Sequence, residues 1–483
     1  MSNLSELLPT GGGQNAVDFV ASGTLASGQA VVLKADGTVE AVTGATEGVG
    51  TPVVFENADS QYCSTVFDSS SNKVVIAYND AVNSGYGTAI VGTVSGTSIS
   101  FGTAVVFESA LTRNTSSTYD STNNKVVIAY KDVGGSSYGT AIVGTVSGTS
   151  ISFGTAVVFN AGTTNYLTAT FDSSSNKVVI SYQNASNSDH GTAIVGTVSG
   201  TSISFGTAVV FESASITISG NTFDSANNKI VISYKDGGNS SYGTAIVGTV
   251  SGTSISFGTA VVFNTSVSDE MISTFDSSSN KVVIAYRDGG NSYRGTAIVG
   301  TVSGTSISFG SASAAFNSAS IYYASATFDS NANKVVLTYR DAGNSDYGTV
   351  IVGTVSGTSI TFGTPVVFEN AYTNFTSSAF DSNLNKIVIG YSDGYGYIGT
   401  SVVFTVGSTN NTSFIGITAE AISSAATGPV NVYGGINAVQ TGLTIASDYY
   451  VQADGSLSTT STSPAIKVGQ AVSATTINMK DLT

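Results

Sequence analysis

Arginine occurs four times in this chain, and three of the four, Arg287, Arg294 and Arg340, lie among the tyrosines Tyr293, Tyr322, Tyr323 and Tyr347. That pairing of side-chain types suits sugar recognition. A tyrosine ring covers the apolar face of a pyranose, and a guanidinium donates a fork of hydrogen bonds to hydroxyls or a carboxylate. The competing reading is a set of solvated loop cations beside Asp288 and Asp341. These seven residues form the candidate ligand-binding set. Catalytic chemistry has less to draw on. His190 is the only histidine and Cys63 the only cysteine. A Ser-His-Asp hydrolase would have to be built around that one imidazole, and a histidine-rich metal centre, a cysteine cluster and an intrachain disulfide are all excluded. No catalytic residue, metal or cofactor is expected, and Cys63 reads as an inert small residue.

The composition narrows the partners. Lys and Arg total 16 against 31 Asp and Glu, a formal charge of -15 in 483 residues, so a nucleic-acid surface would be repelled except at a local basic patch. Charged residues make up only 10% and glycine reaches 55 copies, which marks a β-rich chain coated with Ser, Thr and Asn. The opening MSNLSELLPTGGGQ lacks a basic segment followed by an apolar run, and no stretch of 18 apolar residues follows. Neither a signal peptide nor membrane insertion is expected.

Self-similarity supplies the architecture that must position the candidate residues. FDSSSNKVVIAY begins at Phe67, and relatives begin at Tyr119, Phe171, Phe223, Phe275, Phe328 and Phe380, at intervals of 52, 52, 52, 52, 53 and 52 residues. The extra residue falls in SASAA, at 311–315. Each repeat reads as four strands: A, a variable segment ending in Phe/Tyr-Asp; B, NKVVIAY; C, GTAIVGTVSG; D, TSISFGTAVVF. Strands B and C are apolar at nearly every position, as expected where both sheet faces are covered. The short links DSSSNK and SGTS predict antiparallel hairpins. The expected fold is all-β, a seven-bladed β-propeller. Its seventh repeat lacks a D strand, and GTPVVFENA at 50–58 repeats 363–371 residue for residue, so an amino-terminal strand should close the ring.

Differences between repeats concentrate in the D-to-A connection and the B-to-C loop, which share one face of an antiparallel blade. Binding at that face and neutral drift in exposed loops are both open readings. Asp80, Asp132, Asp236, Asp288, Asp341 and Asp393 recur after strand B, with Asn184 in the third repeat. The run RDGGNS at 287–292 weakly resembles the Asp-box turns of sialidase propellers. An Asx turn explains it, since one carboxylate per loop is too few for calcium. His190 stands where other repeats have Tyr86, Tyr138 and Tyr242, and reads as loop variation.

The flanks, 1–48 and 408–483, are expected to fold together as one small β-domain around the propeller at 49–407. Ala35-Asp36-Gly37 and Asp454-Gly455 mark two hairpin turns, and AIKVGQAVSATTINM a final strand. FIGITAEAISS, GPVNVYGGI, GLTIASDYYVQADGSLSTTS and AIKVGQAVSATTINM resemble a module of tailed-bacteriophage virion proteins from marine hosts, found in tail fibres, appendages and capsid decorations. ASGTLASGQAVVLKADG resembles the opening strand pair of such a module. The resemblance implies a non-enzymatic virion protein, released by lysis and held as a homo-oligomer against other capsid or tail proteins. The propeller would be displayed as a decoration or as a head that meets a host-surface glycan. A lectin unconnected with a virion is the alternative.

Overall fold

The computed structural model describes residues 15–461 and 465–479; the opening run at 1–14, read above for targeting signals, lies outside them. Among the described residues, three short 3-10 turns are the only helical elements, and no helix is long and apolar enough to cross a membrane. The chain divides into two compact units, Val49–Thr405 and the joined flanks Met1–Gly48 with Val406–Thr483.

The larger unit is a β-propeller whose pairings make seven four-stranded antiparallel blades. In blade two, strand A (112–120) pairs with strand B, Lys125–Asp132. Strand B pairs with strand C, Tyr138–Ser147, and strand C with Ser150–Phe153 of strand D. Val126 to Tyr130 are all 0% exposed, because neighbouring blades cover both faces of the sheet; this is why the run carries no polar alternation. The A-to-B turn is fixed by Asp120, whose Oδ1 accepts the backbone N–H groups of Thr122 and Asn123 at 3.0 and 2.9 Å. Asn124 then takes φ 54°, a left-handed conformation that asparagine tolerates. The same Asp and Asn recur in every blade.

The D-to-A connection is not a loop. Val105–Asp120 is one continuous strand. Its first half pairs with strand C of blade one and its second half with strand B of blade two, so each such strand ties two blades together. The variable residues therefore sit on a bulged strand crossing. In blade five the extra residue shortens this strand to Asn317–Asp329. There the Ser313 Oγ accepts the Ala297 N–H at 3.0 Å in place of ladder pairing.

The ring closes where the last blade meets the first. Strand C of blade seven, Ile398–Thr405, pairs with the start of Val53–Asp68, with Ser401 opposite Val53 and Gly399 opposite Glu56. Val388 and Val403 of blade seven share a core with Phe55, Cys63, Val74, Ile76 and Tyr78. Burial pushes the Cys63 thiol up to about 12, so it stays protonated and unreactive in the folded protein.

Between blades, a strand-B tyrosine bonds a glutamate of the preceding D strand. Tyr391 donates to Glu369 at 2.9 Å and Tyr130 to Glu108 at 2.9 Å. Burial raises the Glu369 pKa, against the opposing pull of the Tyr391 bond, so the folded state favours the neutral acid. Above the folded pKa the ionised carboxylate costs stability, and that cost disappears as pH falls through it. Glu369→Gln, which keeps an acceptor without charge, is expected to melt at or above the parent temperature at pH 7, with the gain lost in acid. Glu369→Ala strands the fully buried Tyr391 hydroxyl and is expected to cost about 1–3 kcal/mol. Thermal melts at pH 4 and pH 7 check both.

Besides a two-stranded ribbon of Gly44–Ala45 with Ser408–Thr409, the flank unit contains two five-stranded sheets, built from β1 (Ala16–Val20), β2 (Ala30–Leu33), β3 (Val39–Ala41), β4 (Phe414–Thr418), β5 (Thr427–Val432), β6 (Ile436–Asn437), β7 (Asp448–Val451), β8 (Leu457–Ser458), β9 (Ile466–Ser473) and β10 (Thr476–Asn478). The first sheet has the order β1-β5-β4-β2-β3 and the second β6-β10-β9-β7-β8. The two orders are the same topology written twice. The hairpin turns repeat it in detail: Asp36 Oδ1 accepts Thr38 N–H at 3.0 Å, and Asp454 Oδ1 accepts Ser456 N–H at 2.9 Å. Ala30, Val32 and Ile417 of one sheet share a core with Tyr449, Val451, Val468 and Ile477 of the other. The propeller interrupts the first copy between β3 and β4. AIKVGQAVSATTINM is not the single strand its alternation suggested: it bends at 474–475 into the β9–β10 hairpin, where Ser473 Oγ accepts the Thr475 N–H at 3.2 Å.

Candidate functional site

The penultimate residue of strand B varies from blade to blade, with only lysine and arginine used twice: Asn79, Lys131, Gln183, Lys235, Arg287, Arg340 and Ser392. Each reaches strand A of the next blade. Lys131 Nζ meets Asn165 Oδ1 at 2.8 Å, Lys235 Nζ meets Asp269 Oδ1 at 2.8 Å, and Arg340 Nη1 meets Asn374 Oδ1 at 2.6 Å. The Arg287 guanidinium lies 4.8 Å from the centre of the Tyr322 ring. The shorter Asn79 donates to the Thr112 carbonyl at 2.7 Å, and Gln183 and Ser392 donate to the carbonyls of Ile216 and Ser60. These contacts make a belt around the inner strands, at the end carrying the variable crossings and B-to-C loops.

The belt rests on strained backbone. Directly after the second residue of strand A the register slips by a bulge in every blade. Tyr62, Asn114, Tyr166, Glu270, Tyr323 and Phe375 take φ between 47 and 52° there. For non-glycine residues that conformation costs of order 1–3 kcal/mol each, and strain of this kind clusters at functional sites.

Five of the seven residues singled out in the sequence come together here, as a stack of rings and guanidinium groups. Arg287 lies 5.2 Å from the Tyr293 ring and 4.8 Å from Tyr322; Arg340 lies 4.7 Å from Tyr322 and 4.7 Å from Tyr372. Tyr395 stacks on Tyr372 at 4.9 Å, with the rings 14° apart. A branch runs from Arg340 over Tyr323 at 5.0 Å to Phe375 and Tyr62. Arg294 and Tyr347 stand outside it. Arg294 donates through Nε to the Ser318 carbonyl at 3.1 Å, and Tyr347 sits opposite Tyr372 in the C-to-D ladder without a ring contact among the described residues.

Each arginine fork is engaged in part. Arg287 Nη2 bonds Asp269 Oδ2 at 3.0 Å, while Arg340 Nη1 also donates to the Tyr372 hydroxyl at 2.6 Å and Nε faces Asp346 at 3.3 Å. These contacts hold the guanidinium groups against the ring faces, while Nε of Arg287 and of Arg340 makes no hydrogen bond among the described residues. Although burial works against the Asp269 carboxylate, bonds from Lys235 and Arg287 hold its pKa below the usual range. Burial raises the pKa of neighbouring Glu270, which accepts the Tyr323 N–H at 2.9 Å.

Comparison with known proteins adds resemblance of shape only. A β-propeller domain of Cps50 (Swd1) from Myceliophteria thermophila aligns with 74% of this chain and all of its own, at 7% identity and a TM-score of 0.48. A protein of unknown function from Dyadobacter fermentans aligns with 74% of this chain and 99% of its own, at 10% identity and a TM-score of 0.47. No family model matches the sequence. No curated protein matches it either.

The recurring aspartates at the end of strand B act as Asx caps in blades one, two, four, five and six. Asp132 Oδ1 accepts the Gly135 N–H at 2.7 Å, Asp288 the Gly290 N–H at 2.9 Å and Asp341 the Gly343 N–H at 2.8 Å. Among the described residues no group of three or more His, Cys, Asp or Glu is placed to hold a metal. Sequence reading missed Tyr62, Arg113, Lys131, Asp269, Tyr372, Phe375 and Tyr395. For Arg113, Lys131 and Asp269 the signal available was position in the repeat, since the belt residues fall at two fixed places in every copy; Tyr62 and Phe375 share the next place along strand A.

Proposed function

We propose that this chain is a non-enzymatic recognition protein of a tailed-bacteriophage virion. The flank unit anchors it to other virion proteins, and the propeller is displayed as a head whose variable face meets a host-surface glycan. The observation that carries the recognition part is the contrast within each repeat: strands B, C and D are held nearly constant, while one belt of side chains and its adjoining crossings differ from blade to blade. Rings backed by guanidinium groups that are buried (Arg340) or partly buried (Arg287) suit stacking on sugars, because little conformational entropy is lost on binding. The virion part rests on the resemblance of the flanks. A lectin working apart from any particle is the second reading, and recovery of the chain in purified particles separates the two.

The test uses the exposed ends of the stack. Tyr293 and Tyr395 are 43% and 84% exposed, so the Tyr293→Ala, Tyr395→Ala double variant is expected to keep its melting temperature within what about 0.5 kcal/mol produces. Each lost stacking contact is worth about 0.5–1.5 kcal/mol. Adsorption of the purified protein to host cells is therefore expected to fall roughly 5- to 100-fold. A control altering Ser277 to Ser279, in the opposite-face turn, should adsorb normally. Equal loss in both, or in neither, refutes this face.

A further inference from the structure

The belt holds Arg113, Lys131, Lys235, Arg287 and Arg340, five of the 16 basic residues in a chain of charge -15. Three of the five are neutralised locally: Lys235 and Arg287 share Asp269, and Arg340 faces Asp346. Arg113 and Lys131 are different. They stand directly opposite one another in the A-to-B ladder of blade two, and among the described residues no carboxylate comes within 4.0 Å of either. Like charges directly opposite are destabilising in a sheet. The adjacent repeats fill the same two places without that cost, using Gln61 with Asn79 and Asn165 with Gln183. A cation pair placed at a cost, where neutral pairs serve the neighbouring blades, points to a ligand that supplies the missing negative charge.

A cavity lies beside Arg113, the member of the pair that lines it. It measures about 240 Å³ and is lined by Gln61, Tyr62, Asn79, Ser84, Leu111 and Arg113, among others. Arg113 is exposed, so its guanidinium is available at the rim. Tyr62 contributes an aromatic wall held by Phe375 at 4.9 Å. The wall also contains Asn79, which is 3% exposed and fixed by bonds to the Gly85 and Thr112 carbonyls, both at 2.7 Å. The volume lies below the roughly 300–1,000 Å³ typical of drug-sized ligands, which suits one sugar unit.

We propose that the cavity between blades one and two binds an acidic sugar, a pyranose bearing a carboxylate or sulfate, with its ring against Tyr62 and its anionic group on Arg113, while Lys131, bonded to Asn165 of blade three, adds positive potential from behind. This deepens the glycan reading of the face and rests on it. Lys131 fits the same picture, because burial and the repulsion from Arg113 both lower its pKa, and a bound anion would reverse the second effect.

The experiment measures binding of the full chain to dextran sulfate, alginate and unsubstituted dextran of matched length, by calorimetry at low and at physiological salt. Dextran sulfate, alginate or both should bind, dextran should not, and affinity should fall as salt rises. Arg113→Gln, at an exposed position, should retain its fold and lose roughly 10- to 100-fold in affinity, as expected for a hydrogen bond to a charged group. Anionic binding insensitive to Arg113→Gln would overturn the site. Dextran bound as well as its sulfated form, and weakened by the Tyr293→Ala, Tyr395→Ala variant, would overturn the acidic ligand while leaving a glycan-binding face intact. Failure of every polymer, with normal cell adsorption by the Tyr293→Ala, Tyr395→Ala variant, would remove both.

Discussion

Exchanging residues 50–57 for an equal length of alternating glycine and serine is expected to abolish cooperative unfolding of the propeller. Those residues are the outer strand of the last blade. Without them strand C of blade seven is an open edge, available for pairing with other chains. Phe55, 9% exposed and tilted against Tyr78 at 5.2 Å, is lost from the joint between the last and first blades, a truncation worth about 3–5 kcal/mol by itself. The Glu56 carboxylate, which receives the Tyr78 hydroxyl at 3.3 Å, goes with it. Against a total stability of about 5–15 kcal/mol, these losses together with the ladder bonds consume most of the margin. Calorimetry should show a broad, early transition, and light scattering should show aggregation. A melt indistinguishable from the parent would mean that the ring does not depend on this strand.

One glycine pair provides a point-mutant version with an internal control. A Cβ at Gly50 would lie 1.8 Å from the Thr97 carbonyl oxygen and 3.1 Å from that of Val403, both backbone atoms that cannot swing away. The sequence-identical Gly363 meets only the Val352 carbonyl at 3.7 Å. The difference arises because Gly50 packs on the C-to-D turn of blade one, whereas blade seven takes its D strand from the amino-terminal side and has no such turn. Gly50→Ala should therefore cost about 1–3 kcal/mol or more from overpacking, and Gly363→Ala close to nothing.

How much of this was legible in the sequence depended on where the information lay. Repeats of almost constant length exposed the blades, and the duplicated GTPVVFENA exposed the closure, because both are statements of identity that need no geometry. The crossing strand was not legible. Hydrophobic period tells which face a residue takes, but gives no sign that Val105–Asp120 continues unbroken from one blade to the next. The belt was hidden for another reason. Lys131 and Asn165, Lys235 and Asp269, and Arg340 and Asn374 are each 34 residues apart, partners in different repeats, and a scan for local Arg and Tyr found only the parts of the stack dense in sequence. That scan took in Arg294 and Tyr347 by proximity and passed over Arg113, which stands alone in sequence but faces Lys131 across the ladder. The doubled topology of the flank unit was concealed by the propeller, which separates β3 from β4 by some 370 residues, although KADGT and QADGS mark the same turn in both copies.

That doubled topology leads to the second large effect: the flank unit is expected to fold with the propeller removed. Gly44 and Ala45 pair antiparallel with Thr409 and Ser408, so the two connections already lie side by side at the distance a two-residue turn spans. Replacing Thr46–Gly407 with Asn-Gly, the pair favoured in a type I′ hairpin, would join them into one ribbon. The resulting chain of about 120 residues is within the usual size of a single domain. Its two cores need nothing from the propeller: Ala30, Val32, Ile417, Tyr449, Val451, Val468 and Ile477 form one, and Ala21, Leu25, Val31, Val39, Ile422 and Val430 the other. The second copy of the fold already connects β8 to β9 through residues 459–465 alone, so a short link at the equivalent place is compatible with the topology. Expected results are a single cooperative melt and dispersed amide resonances; a chain without a cooperative transition would show that the insertion is structurally required. The same small protein separates anchoring from recognition. If the flanks attach the chain to a particle, the excised unit should compete with the full chain for incorporation while failing to adsorb to host cells. Adsorption by the excised unit would move the recognition surface off the propeller.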